Sequence, residues 1–376
     1  YVGYRGIHLW QVREGNPIPP TNTVNGAPAW YPYLCNGVAQ ANNVCPGGTV
    51  VNNPAYRTIN PAYASVIRTG TWGDSWYNSL QVNVMKRLGH GLQFQSAYTW
   101  SKALDTSQGQ LYASDCHSVS QLYPSTPYDA RTWDKGPACY DVAHNYHINL
   151  LYHLPNINST NWTAKLASGW WVGNIVSAQT GFPFSALLNS VRTNNGNLTG
   201  QGTTGLTDRP NLGTDTTQTT FTCAGTGSAF PGAPACGSQG TPGQVTYTFI
   251  PYDPKTVITG NPNMWFNPLM FSLPPPGTIG NVPQSLLTGP GLGTWNFSVN
   301  KDTKLRFLGE QGQLEFRAEF FDFLNQAAFG TPSATAFTGT LTDVGPYSEA
   351  PSGTAGKITT TLTPSRQIQL ALKIIF

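Results

Sequence analysis

The chain has 376 residues, of which only 10% are charged, and its formal net charge is +3. A soluble domain carries about 25% charged residues, so an ordinary charged surface is excluded. The small net charge, without any Lys/Arg run, also gives a nucleic-acid partner nothing to bind. No stretch approaches the ~20 consecutive apolar residues of a membrane helix.

Gly (40) and Pro (30) point to many turns and long loops, while period-two alternation, the mark of a strand with two unlike faces, recurs along the chain. "YVGYRGIHLW" opens as the middle of a strand near 1–11, with no basic n-region or cleavage site, so the chain reads as the later part of something longer. After a long connection, 12–75, a strand at 76–88 sets Leu80, Val82 and Val84 against Gln81, Asn83, Met85 and Arg87. The turn "LGHG" leads into a strand at 91–105, with Leu92, Phe94, Tyr98 and Trp100 opposed to Gln93, Gln95, Ala97, Thr99 and Ser101. Beyond the connection 106–140, the strand 141–154 sets Tyr146, Ile148, Leu150 and Tyr152 against Asn145, His147, Asn149 and His153. A short link, 154–166, precedes an extended segment, 167–181, whose facing the pattern leaves open. A third long connection covers 182–293. Then 294–307 alternates Trp295, Phe297 and Val299 with Asn296, Ser298 and Asn300, and 313–326 alternates Leu314, Phe316, Ala318 and Phe320 with Gln313, Glu315, Arg317 and Glu319. After 327–364 the last strand, 365–376, carries Ile368, Leu370, Leu372, Ile374 and Phe376 on one parity and Gln367, Gln369, Ala371, Lys373 and Ile375 on the other.

Short and long connections thus alternate, so one edge of the sheet carries tight turns and the other all the long loops. That is the plan of an outer-membrane barrel, with short periplasmic turns and longer extracellular loops. Aromatic residues gather towards strand ends, at Trp76, Tyr77, Tyr98, Trp100, Tyr146, Tyr152, Trp295 and Phe376, as interfacial girdles do. A soluble sandwich also alternates, but its outer faces normally carry charge. Here the polar parity is mainly Gln, Asn, Ser, Thr and His. The fold class expected is all-β: an antiparallel transmembrane β-barrel portion of about eight strands, with long extracellular loops.

The cysteines fall into local pairs, Cys35 with Cys45, Cys116 with Cys139 and Cys223 with Cys236, each inside one long connection. No CxxC occurs, so disulfides in an oxidising compartment are expected rather than zinc. Asp302, Lys304 and Arg306 on one strand and Glu315, Arg317 and Glu319 on its hairpin partner form an expected lumen-facing charge ladder. His144 and His147 are three apart on a strand and point to opposite faces. His147 and His153 share a face but lie about 20 Å apart, so they cannot share an ion. Asp105, Asp115, Asp129, Asp134 and Asp141 are scattered loop carboxylates without a calcium-ligand spacing. No catalytic constellation is visible, and no cofactor is expected. The connection 182–293 is long enough to form a small external cap held by Cys223–Cys236.

Several strings resemble one family: "WYNSLQVNVMKRLGHGLQFQSAYTWSKALD", "YDVAHNYHINLLYHLP", "TDRPNLG", "TGPGLGTWNFSVNKDTKLRF", "LEFRAEFFDFLNQAAFG" and "GKITTTLTPSRQIQLALKIIF". They are similar, in the same order, to the C-terminal barrel of TonB-dependent outer-membrane receptors of the Oar-like kind, abundant in Acidobacteria. The resemblance implies a 22-strand barrel around an N-terminal plug, import or export of a large solute such as a peptide or oligosaccharide, and a TonB complex that pulls on the plug. It also implies an N-terminal carboxypeptidase-regulatory-like domain. Plug, TonB box and that domain have no counterpart in these residues, so the remainder of the barrel and the plug are expected from the same parent protein or from another chain. The terminal set Ile368, Leu370, Leu372, Ile374 and Phe376 resembles the signal read by the barrel-assembly machinery. Expected surroundings are outer-membrane lipid, with no nucleic acid. Two other readings remain open: a surface adhesive barrel whose loops bind a partner without transport, and an independent eight-strand barrel.

Overall fold

The computed structural model describes residues 1–14, 22–24, 27–29, 33–35, 38–40, 62, 67–106, 135–157, 161–190, 192, 208–223, 227–228, 235–236, 243–305, 307, 309, 311–340 and 345–376. Eight long strands make the wall: β1 (Val2–Glu14), β2 (Ile67–Gly89), β3 (Leu92–Asp105), β4 (His144–His153), β5 (Trp170–Gln179), β6 (Leu292–Lys304), β7 (Gln313–Phe321) and β8 (Gln367–Ile375). They lie side by side in chain order, every pair antiparallel. This is the arrangement that consecutive strands joined at alternate ends must take. A two-residue strand, Gly136–Pro137, adds to the end of β3. Among the described residues β1 pairs with β2 alone and β8 with β7 alone, so the sheet is open.

The first hairpin is longer than the alternation predicts. β1 runs on to Glu14 and β2 begins at Ile67 rather than near 76. The register shifts twice, between Gly6 and Leu9 and between Leu9 and Gln11, and His8 sits at φ 56°. Bulges of this kind insert residues out of step, which erases the period-two pattern that would have announced the extension. The β2–β3 turn is tight as expected. His90 and Gly91 both have positive φ, 54° and 77°, as a two-residue I′ turn requires. A side chain at Gly91 would also collide with the His153 carbonyl, which the turn approaches closely.

The link between β4 and β5 contains a short helix, α1 (Trp162–Ala167). Six residues are under two turns, too few to show a helical period in the sequence. The helix is held from outside: the Lys301 ammonium donates to the carbonyls of Lys165, Leu166 and Ser168 at 3.1, 2.8 and 2.7 Å.

Register sorts the wall into two faces. Leu80, Val82 and Val84 pair with Trp100, Tyr98 and Ser96, and the same row system continues through Tyr146, Ile148 and Leu150 to Val176 and Val172, Phe297 and Val299, Phe320 and Ala318, and Ile368 and Leu370. On the flanking strands this face is exposed, from 44% at Leu80 to 68% at Leu370, while the central strands carry half-buried residues such as Val172, Phe297 and Val299. A contiguous exposed apolar face of this extent is a lipid-facing surface. The segment whose facing was open is now placed: Val172, Asn174, Val176 and Ala178 join the apolar rows. Asn174 is tolerated there because its Oδ1 accepts the Trp295 indole N–H at 3.0 Å. Tyr77 departs from the expected girdle. It pairs with Tyr4 and Ala103, and odd parity turns it to the polar face.

The main hydrophobic core is not in the wall. It lies beyond the long-loop end, where β5 and β6 continue as the paired segments Pro183–Phe184 and Leu287–Thr288. Phe249, Phe266, Phe271 and Phe337 are at most 1% exposed. The expectation that 182–293 alone makes the cap is corrected here. The connection before β8 supplies Ala336, Phe337, Tyr347 and Ala355 to the same core. Leu187 and Leu188 pair in parallel with Thr335 and Phe337, and the Phe249 ring lies 4.8 Å from Tyr347. Neither connection closes a core by itself, so each buries its apolar residues against the other.

Candidate functional site

The polar face of the wall and the cap above it form the candidate site. Polar rows cross the sheet as the register dictates. One row runs Asn83, Ala97, His147, Ser177 and Thr294, and another runs Gln93, Leu151, Gly173, Ser298, Glu319 and Gln369. Side chains within these rows bond one another. His147 Nδ1 and Ser177 Oγ are 2.8 Å apart, and Asn300 Nδ2 donates to Ser298 Oγ at 3.0 Å. Over most of its height the face therefore offers amide, hydroxyl and imidazole groups, which hydrogen-bond water and polar solutes.

Charge concentrates at the short-turn end. His153, Trp171, Asn300, Arg317 and Ala371 form one row, and Asp302, Glu315 and Lys373 the next. Of the expected ladder, Asp302, Glu315, Arg317 and Glu319 gather here, and the ion pairs described run along one strand rather than across two. Arg317 meets Glu315 at 2.6 Å and Glu319 at 3.7 Å, both on β7. Register explains this: Arg317 faces Asn300, while Asp302 faces Glu315. Residues two apart on a strand share a face, so the guanidinium turns to its own strand neighbours. Asp302 takes the Trp171 indole N–H at 3.1 Å. Lys304 ends β6 opposite Gln313 and is exposed, and Arg306 lies outside the described residues.

The histidines separate as their spacing requires. His144 sits on the apolar face against the Tyr98 hydroxyl at 2.8 Å. His147 and His153 are on the polar face, the latter 5.9 Å from the Trp171 ring. Asp105 and Asp141 are buried where the wall meets the cap. Asp141 bonds Lys102 at 2.8 Å and the Ala103 N–H at 2.7 Å, and Gln284 of the cap donates to Asp105 at 3.4 Å. Tyr140 beside them has its phenol pushed up by burial, then by the Asp105 and Asp141 charges. Asp115, Asp129 and Asp134 lie outside the described residues.

Neither Cys139 nor Cys223 is a free thiol. The backbone places Cys35 at the end of the strand Tyr33–Cys35 and Cys236 opposite Gly227. Cys45 and Cys116 lie outside the described residues. Ile368, Leu370, Leu372 and Ile374 form the exposed apolar row of β8, and Phe376 follows at 88% exposure. Three features escaped the sequence reading. The double-loop cap needs contacts between segments far apart in the chain. Arg192, fully buried, donates to the carbonyls of Pro274 and Thr340 and stitches the two loops together. Lys301 did leave a signal, as the one charge in the apolar parity of Trp295, Phe297 and Val299.

A family model described as "Outer membrane beta barrel domain" matches residues 1–369. No match occurs among curated proteins or among solved structures. The lipid-facing rows, the polar face behind them and the alternating connections agree with that match. The chain belongs to the outer membrane β-barrel domain family and resides in the bacterial outer membrane.

Proposed function

We propose that the chain is the C-terminal barrel portion of a TonB-dependent receptor of the Oar-like kind, passing a large solute such as a peptide or oligosaccharide. The observation that carries this reading is the packed cap seated over a polar wall. A folded outer module captures solute, and a hydrogen-bonding face lets it pass. The resemblance of the strand strings points the same way. In this reading, 22 strands complete the ring. The remaining strands and a plug come from the same parent protein or another chain, and the TonB complex moves the plug. The charge cluster of Asp302, Glu315, Arg317 and Glu319 meets polar plug or water at the periplasmic end. The barrel-assembly machinery reads the row from Ile368 to Phe376. Disulfides Cys35–Cys45, Cys116–Cys139 and Cys223–Cys236 brace the external loops.

A second reading, an adhesive barrel whose cap binds a partner without transport, draws on the same rigid cap. Imaging of native particles separates them. A 22-strand ring with a folded plug in its lumen supports the receptor. A complete ring without a plug favours adhesion. An eight-strand ring with β1 paired to β8 overturns the receptor reading.

A further inference from the structure

Three cations gather on the lipid-facing side of the wall at its long-loop end. Arg5 and Trp76 are cross-strand partners, with the guanidinium carbon 6.0 Å from the ring centroid. The Lys135 ammonium lies over the same ring at 4.3 Å. One row further in, Lys102 stands opposite Asn78 with its side chain 52% exposed. Trp76 and Asn78 share parity with Leu80, Val82 and Val84, so the cluster continues the lipid-facing column upward. From Val84 to Trp76 the strand rises about 27 Å, and a ~40° tilt leaves ~20 Å of membrane depth. An apolar band is about 25 Å tall, which puts the cluster at the outer headgroup level.

Among the described residues, one carboxylate lies within ion-pair distance of these cations. Asp141 is the carboxylate that touches them; its side chain is 2% exposed, and it bonds Lys102 with one oxygen and the Ala103 N–H with the other. An ammonium has three donors, so Lys102 keeps two. Arg5 and Lys135 have no carboxylate partner among the described residues. The Trp76 ring orients both cations without neutralising them. Lys301, at the opposite end of the same face, differs: its donors are spent on three carbonyls.

We propose that Arg5, Lys102 and Lys135, aligned by Trp76, bind the phosphate groups of a lipid of the outer leaflet, whose acyl chains run down Leu80, Val82 and Val84. Guanidinium and ammonium groups both pair with phosphate, and the apolar column below selects a lipid over a free ion.

The test is native mass spectrometry of the protein extracted from its outer membrane in mild detergent. Replacing all three cations (R5Q/K102Q/K135Q) lowers the retained phosphorylated lipid by at least about tenfold, while R5K/K102R/K135R keeps most of it. The heat-modifiable electrophoretic shift reports folding of each variant. If the triple variant does not assemble, Lys135→Gln, outside the long wall strands, carries the test and lowers retention about fivefold. Unchanged retention in a folded variant overturns the proposal. So does displacement of the lipid by inorganic phosphate alone.

Discussion

Asp302 of β6 and Glu315 of β7 stand directly opposite each other across the last hairpin. Like charges in such a pair repel, and each is answered by a different neighbour. Asp302 accepts from Trp171, Glu315 accepts from Arg317, and Lys373 flanks Glu315 on the next strand. Arg317→Gln removes the cation shared by Glu315 and Glu319 and leaves Glu315 facing Asp302. The expected loss is about 1–3 kcal/mol, seen as a lower temperature for disappearance of the folded, detergent-resistant band. Adding Asp302→Asn restores part of it. Equal melting of R317Q and wild type counts against the cluster as a register device.

Lys301→Met keeps the stem that packs in the wall but removes three hydrogen bonds to the end of α1. Hydrogen exchange of residues 161–168 rises in this variant, with β5 and β6 unchanged. A global rise in exchange instead assigns Lys301 to wall stability.

The cap has its own core, so it unfolds apart from the wall. Phe249→Ala deletes a fully buried ring and costs the cap about 3–5 kcal/mol. External protease then cuts within 182–291 or 322–366, while the heat-modifiable band persists. Loss of that band along with cap cleavage shows that the two parts fold as one.

Burial pushes the Tyr247 phenol above its ordinary value of 10.0. Tyr252 is raised too, by burial first and then by Asp253. An acid whose folded value lies above its unfolded one lends stability below the unfolded value, lost as pH rises towards the folded one. The cap accordingly weakens above about pH 10. Tyr247→Phe blunts that alkaline loss, followed by cap proteolysis across a pH series. An unaltered alkaline profile in the variant rejects this origin.

Adjacent residues of β8 test the two faces. Leu372, 67% exposed, lies in the apolar row, and Ala371 in the row of Arg317. Lysine at 372 costs about 2–4 kcal/mol if it lies near the bilayer midplane, whereas lysine at 371 is tolerated. Assembled barrel per cell measures both, and equal yields reject the facing. Phe376→Ala lowers the same yield if the assembly machinery reads the row from Ile368 to Phe376.

Strand existence and facing were legible because they depend on neighbours two residues away. Leu80, Val82 and Val84 announce their face without reference to any partner, and "LGHG" announces its turn. The extension of bulged β1 to Glu14 and the start of β2 at Ile67 were not legible, because inserted residues break the period. The charge cluster was half legible. Its residue types and parity were visible, but whether Arg317 meets Glu315 or Asp302 depends on how many residues the hairpin turn consumes, and a turn without a diagnostic dipeptide does not declare that.

By itself the sequence determined an all-β membrane wall, the face of nearly every strand and the side that bears the long loops. Each of these follows from local alternation and loop length. Only tertiary structure decided that two distant loops share one core, that Phe249 packs on Phe337 and Tyr347, and that Arg5 and Lys135 meet over Trp76. Those contacts join segments tens to more than a hundred residues apart, and hydrophobic burial and charge have no sequence period at that range.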